Sequence, residues 1–465
     1  MEIRSTLVTD FIRILKETTK KFPDKRTGKN LQYEMSDFVM SAFSVFFMQS
    51  ASFLEGQRRL HEMTGNDNLF SLFGVNKLPK DTQIRKQLDE IPPEALFPIW
   101  EDMYHLLFRK NLLNKFSGYN KNLLIAIDGT EYFSSEKIHC EHCSRRKMNN
   151  GNIRYLHSVL APALVQSGSK KNKVIAMEPE FIEPQDGHEK QDCEQAAFKR
   201  WLSKYGSRYS GRATILADAL FANEPIIQAI QQKGLDFILT CKVGSNKYLF
   251  NEEIKFYEDD GTLPEIQFSH WNGKNNEIYI YRYINNVRIK DPYYNDEPTR
   301  VNWCDLTIVN ENTLEEIFYN SYITNFIISD SNVQDIVQDG RSRWSVENGN
   351  YNVLKNHGYH GEHNFGHGNN HLASFLFSLN LLAFVFHTIL EMTDFTFQNA
   401  LKRRVTYKNL FQHLQSITEW MVFDSWDIVF ALISIQKIKR FLHRNFLNFC
   451  NPANRLIRSD SFCLP

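Results

Sequence analysis

The sequence has no surplus charge of either sign: 54 lysines and arginines balance 54 aspartates and glutamates over 465 residues. A uniformly basic nucleic-acid binder is thereby excluded, and any surface for a polyanion has to be local. Cysteine is scarce. Seven residues, an odd number scattered over a long chain, do not build a disulfide framework, so reduced thiols are expected. The opening "MEIRSTLVTDFIRILKETTKKF" alternates charged and apolar residues at helical spacing and lacks the apolar run and small-residue cleavage site of a secretory signal, which points to a cytoplasmic protein. Long apolar runs are also missing, apart from "LASFLFSLNLLAFVFHTIL" at 372–390. Ser374, Ser378, Asn380 and His387 interrupt it and no anchor pattern flanks it, so it reads as a buried helix rather than a membrane span. Internal repeats and low-complexity tracts are absent.

What is present falls into five segments. The length implies two to four domains or one core with large insertions. Residues 1–118 read as a separate helical module, amphipathic at 34–50 and 95–109, with Asp81 as N-cap of a short basic helix. From 119 to 243 come "NLLIAID", "IRYLHSVLAPALV" and "KVIAMEPEFI", then a helix, "RATILAD", a helix from Glu224, and "DFILTCK". Three strands, helix, strand, helix, strand is the order of a ribonuclease-H-like mixed-sheet α/β core. Residues 244–325 are strand-like pieces separated by turn residues, a β-rich insertion. The core resumes over 326–395. Residues 396–465 are again helical and basic, ten lysines and arginines against four acids.

Asp128 closes the first apolar strand and is followed by Gly129; Asp218 closes "ATILAD". Either aspartate alone is explained by turn chemistry. In a core of this order, however, the first and fourth strands lie side by side and their ends meet. Two neighbouring carboxylates repel unless a cation neutralises them, and a few hard oxygen ligands suit Mg²⁺. A third carboxylate from a helix crossing the sheet completes a two-metal site for in-line displacement at phosphorus. The stretch "GRSRWSVENGNYNVLKNHGYHG" at 340–361 supplies one acid, Glu347, among Arg341, Arg343 and Lys355. Glu347 near a helix N-terminus is also explained by the macrodipole. Its place after the fifth strand is that of the third ligand.

With these residues the chain resembles the DDE transposases of bacterial insertion sequences, in particular the branch with a β-strand insertion before the last acid and a Tyr-Arg-Glu-Lys signature around it. Asp218 follows Asp128 by 90 residues and Glu347 follows by a further 129, which suits such a core with its insertion. The resemblance covers about 120–395. It implies Asp128, Asp218 and Glu347 as catalytic ligands of two divalent ions, Mg²⁺ or Mn²⁺. It further implies double-stranded DNA as partner, both transposon inverted-repeat ends and target, and a homodimer that holds two ends together, with no role for a membrane. Arg343, four before Glu347, matches the family's arginine and is expected on a DNA phosphate. The family's tyrosine position is Gly340 here, and Tyr351 is the candidate aromatic contact instead. Lys355 stands eight after Glu347 rather than seven. Arg341 is a further candidate for DNA. The implied activity is cleavage that exposes a 3′-OH, followed by its joining to target DNA. A nuclease or resolvase limited to hydrolysis, and a non-catalytic assembly protein, are the alternatives.

Weaker signals stay open. "IHCEHC" at 138–143 offers half a zinc site, but no second pair stands at zinc-finger spacing and Cys193 and Cys241 are isolated, which favours a loop of packed thiols. The histidines of "HGYHGEHNFGHGNNH" suit a loop touching DNA phosphate, simple packing, or metal, in that order. Glu362 within it is a rival third acid. Asp192 and Glu194 are either an auxiliary acid pair or a solvated helix face. The basic runs "SRRK", "KKNK", "LKRR" and "KIKRFLHR" are surface or phosphate contacts, and the helix from Thr82 either reads a DNA end or packs.

Overall fold

The computed structural model describes residues 7–27, 31–61, 65–168, 173–184, 192–291 and 298–434. Lys437, Lys439, Arg440, Arg444, Arg455, Arg458 and most of "KKNK" lie outside the described residues. Helices come first: α1 (Leu7–Thr19), α2 (Met35–Phe47), α3 (Phe53–His61), α4 (Gly65–Phe73), α5 (Asp81–Leu88) and α6 (Pro98–Arg109). Strands β1 (Leu123–Ala126), β2 (Gly129–Ser135), β3 (Ser144–Lys147), β4 (Ile153–Leu160), β5 (Ala163–Leu164), β6 (Ile175–Ala176) and β7 (Glu180–Ile182) follow. Next are α7 (Glu194–Tyr205), β8 (Ala213–Ala217), α8 (Glu224–Gln232), β9 (Asp236–Cys241) and the short α9 (Lys255–Asp259). Then come β10 (Glu265–Trp271), β11 (Asn276–Arg288), β12 (Arg300–Asn310) and β13 (Glu316–Thr324). The chain returns to helix in α10 (Val333–Arg341), α11 (Trp344–Val346), a wide π turn at Glu347–Tyr351, α12 (Asn352–Asn356), α13 (Leu372–Thr393), α14 (Phe395–Arg404), α15 (Tyr407–Trp420) and α16 (Trp426–Ser434).

This is the ribonuclease-H-like mixed α/β core that the strand order predicts, with helices at both ends. β1 and β8 are buried at every position, as parallel strands covered on both faces must be. The pairing Ile125–Leu164 and Ala126–Ala163 resumes in the same register as Gly129–Leu160 and Thr130–Val159. β1 and β2 are therefore one long strand, and β5 and β4 its antiparallel partner, both interrupted next to Asp128. β6 and β7 flank the same partner on its other side.

The β-rich insertion begins with helical turns at 249–259 and then joins the core sheet. β13 pairs with β9 through Ser321–Cys241 to Thr324–Ile238, giving the order β10-β11-β12-β13-β9-β8-β1-β5-β6. The physical reason is the exposed edge of β9: an unpaired ladder beside a core seeks a partner strand, and the insertion supplies it.

The helices of the two chain ends meet around α13, which is buried along its whole apolar length. Phe43 and Phe47 of α2 lie against Phe386, and Phe47 against Trp426 of α16. Asn68 donates to the carbonyls of Thr418 and Met421, and Trp426 to that of Leu72. The helix from Thr82 packs through Ile84 and Leu88, while Thr82, Gln83 and Lys86 face outward and Arg85 pairs with Asp81.

Asp89, just past α5, fastens this layer to the core. Its carboxylate accepts the amides of Asn369, Asn370, His371 and Leu372 at 2.9–3.1 Å, where α13 begins, satisfying donors that a helix N-terminus leaves orphaned. Asp89→Ala is expected to lower stability by about 1–3 kcal/mol. Asp89→Asn, which keeps the oxygen taking three of the four amides, is expected to lose less; denaturant unfolding of both variants checks the order.

Candidate active site

Three strand and helix ends bring the acids together. β1 and β8 pair in parallel from Leu123–Ala213 to Ala126–Leu216, and the Ile127 amide still donates to the Leu216 carbonyl at 2.8 Å. Carrying that register two residues on sets Asp128 beside Asp218 at the carboxyl edge of the sheet, where open α/β sheets bind ligands. Both aspartates also do the turn chemistry of their position: Asp128 accepts from the Gly129 amide and Asp218 from the Leu220 amide.

Glu347 arrives from the helical segment after β13. Arg343, four residues earlier and buried, donates to the Glu347 carboxylate at 2.9 Å and reaches 3.9 Å from Asp128 Oδ2. One guanidinium thus ties the helix acid to the strand acid. The expectation for Arg343 was a DNA phosphate; here it sits among the carboxylates.

A fourth acid stands with them. Glu194 opens α7, and a Cβ on Gly129 would lie 2.4 Å from its carboxyl carbon, so the glycine after Asp128 is what lets Glu194 approach. Burial raises the Glu194 carboxyl above its ordinary range and Asp218 raises it further. Asp192, its companion in the sequence reading, goes elsewhere, into an ion pair with Arg200 that also holds Glu180. The signal for Glu194 was in the sequence only as one acid of two at the head of a helix. Nothing in the spacing said which of the pair turns toward Asp128 and Asp218.

Burial pushes Asp128 up to about 7; Arg343 opposes this, while Glu347, Glu194 and Asp218 add to it. Arg343 lies between Asp128 and Glu347, and Asp218 and Glu194 act on Asp128 from farther off, a set of hard oxygen donors with more negative charge than one guanidinium neutralises. The residues therefore fit divalent cations of the Mg²⁺ kind.

The other candidates divide. Tyr351, expected against DNA, is buried: its hydroxyl donates to the Asp128 carbonyl at 2.5 Å and accepts from the Ala161 amide at 3.4 Å. It fills the gap in the broken strand pair, because four residues after Glu347 the helix faces the sheet. Lys355 pairs with the exposed Glu362 at 2.9 Å, so the rival acid is taken up in a surface pair. Arg341 lies over the Phe318 ring and lines an open groove with Trp344 and Lys408. Gly340 packs against Tyr322 of β13, whose ring would be 2.7 Å from a Cβ there.

The acids at these strand ends, on a ribonuclease-H-like sheet, form a candidate site of the DDE kind. Residues 180–385 match the family model described as transposase DDE domain. The match includes Glu194, Asp218 and Glu347; Asp128 precedes it and joins the site by geometry. Over those residues, somewhat under half of the chain, the sequence is similar to the DDE domain of transposases. No curated protein matches it.

The raised Asp128 fixes a pH dependence. A carboxyl with a folded value near 7 against an ordinary 3.8 stabilises the fold fully below about pH 4, and this contribution is lost as pH rises through 7. Without added divalent cation, Asp128→Asn is expected to match wild type in thermal unfolding at the acid end and to exceed it by on the order of 2–4 kcal/mol at pH 7.5. Added Mg²⁺ is expected to narrow that gap by stabilising wild type.

Proposed function

We propose that the chain binds the inverted-repeat ends of its element, cleaves DNA to expose a 3′-OH and joins that hydroxyl to target DNA, acting in the cytoplasm as a homodimer that holds two ends. The observation that carries this reading is Arg343 bridging Glu347 to Asp128, on a sheet whose register sets Asp218 beside Asp128.

Asp128, Asp218 and Glu347 would hold two divalent ions, with Glu194 beside them as a further oxygen donor. When bound, Mg²⁺ or Mn²⁺ supplies activation of the attacking oxygen and charge stabilisation at the leaving one. The chain's own residues supply the rest. Asp128 would release its proton to solvent and bind as the carboxylate. Tyr351 fixes the backbone at the strand break, so that the Asp128 carboxylate keeps one direction. Arg343 holds Glu347 against the sheet and places positive charge where phosphate oxygens gather. Arg341 and Lys355, on the same helical segment, take the flanking DNA phosphates.

The experiment is Mg²⁺-dependent cleavage and joining of the element's own ends by wild type and Glu347→Gln. Wild type is expected to give cut and joined products, and Glu347→Gln to lose both by about 10³-fold or more while unfolding at the wild-type temperature. Supplying pre-cleaved ends isolates the second step: joined product supports the proposal, whereas cutting without joining assigns the chain to hydrolytic nucleases.

A further inference from the structure

Away from the carboxylates, Cys140, Cys143, His157 and His367 converge, their ligand atoms all within 4.8 Å of one another. The sulfurs are 3.8 Å apart. His157 Nε2 is 3.5 Å from Cys140 Sγ and 3.4 Å from Cys143 Sγ; His367 Nε2 is 3.4 Å from Cys143 Sγ and 3.1 Å from His157 Nε2. We propose that these four residues form a closed, structural zinc site.

The geometry is that of a tetrahedron around one ion. Zinc bonds of about 2.3 Å to sulfur and about 2.0–2.1 Å to nitrogen put ligand atoms about 3.8 Å apart for two sulfurs, about 3.5 Å for sulfur and nitrogen, and about 3.3 Å for two nitrogens. A disulfide would need the sulfurs at about 2.05 Å. Thiols and imidazoles packed without an ion would pair in a chain; here all four point at a common centre.

The surroundings hold the ligands in place. His367 Nδ1 lies 2.8 Å from the Gly368 carbonyl, an acceptor, so the proton is on Nδ1 and the Nε2 lone pair faces the cysteines. The Cys143 amide donates to the Cys140 carbonyl, closing a tight turn, and the Cys140 amide lies 3.5 Å from Cys143 Sγ. Tyr132 stacks on His157, and Phe133 packs against both imidazoles, an apolar wall against water. Cys143, His157 and His367 are buried. Four protein ligands leave no open position, which marks a structural rather than a catalytic ion. On loading, the two thiols release their protons to solvent and bind as thiolates, while the imidazoles bind neutral.

The site joins distant parts of the chain. Cys140 and Cys143 follow β2, the strand that leaves Asp128; His157 lies on β4; His367 lies in the loop after the helix of Glu347. Zinc would brace the two segments that carry Asp128 and Glu347, and the inference stands whether or not those acids transfer strands.

The test is metal content of the untagged full chain, purified with a non-thiol reductant and desalted after incubation with Zn²⁺. About one zinc per chain is expected, retained in Asp128→Asn and Glu347→Gln and lost in Cys143→Ser and His367→Ala. Because those last variants can fail to fold, wild type is also loaded with Co²⁺, which should show the visible bands of a tetrahedral ion and sulfur-to-cobalt charge transfer. Zinc well below one per chain in wild type, octahedral cobalt without charge transfer, or zinc kept by Cys140→Ser/Cys143→Ser would each overturn the proposal.

Discussion

Asp128 is a carboxylate half-buried at a break in the central strand, and the site is arranged around its partial loss of solvent. An isolated ion moved out of water costs several kcal/mol even after relaxation. The fold answers locally, with Arg343 reaching toward the carboxylate and Tyr351 occupying the gap in the ladder. Neither answer balances Glu347, Glu194 and Asp218, which all raise Asp128 further. Like charges gathered at a sheet edge and only partly neutralised are the charge pattern that a divalent cation would relieve. Under the proposed function, the strain of the uncompensated acids and their affinity for cations have one physical origin.

The sheet makes the burial rigid. β1 and β8 share a parallel register to within two residues of the acids, and β9 beyond them is closed off by β13 of the insertion. The insertion therefore does more than occupy sequence between Asp218 and Glu347. It covers the sheet edge, and through Tyr322 it packs on Gly340 in the helix leading to Glu347. The space beside residue 340 is filled by the Tyr322 ring.

The core was legible because its signal is local: short all-apolar runs ending in Asp, separated by helices of the right length, leave few topologies. The acids Asp128 and Asp218 were legible for the same reason, since a parallel register fixes the neighbours of a strand end. Glu194 was not, because which acid of "DCE" turns toward Asp218 depends on the phase of α7, and that is set by Phe198 and Trp201 packing in the core rather than by the acids themselves. The burial of Tyr351 was hidden by the strand break that it fills. His367 was hidden by distance: its partners stand more than 200 residues earlier, and no spacing rule connects a cysteine turn in one sheet to a glycine-rich loop before α13.

The spacing of Lys355 has a geometric resolution. Eight steps of a regular helix leave a residue about 80° from its starting face. The turn Glu347–Tyr351 is a π turn, in which bonds run from residue i to i+5 and one extra residue is accommodated. That residue absorbs most of the offset and returns Lys355 to the side of Glu347. The two bases then differ in how they are held. Arg343 is buried against Glu347 and belongs to the electrostatics of the carboxylates. Lys355 is held by the exposed Glu362, a pair of the kind that contributes about 1 kcal/mol at most. Under the proposed function a DNA phosphate, with a full charge and oxygens to accept all that an ammonium donates, displaces so weak a partner. The arginine stays with the acids, and the lysine is the one released to the substrate.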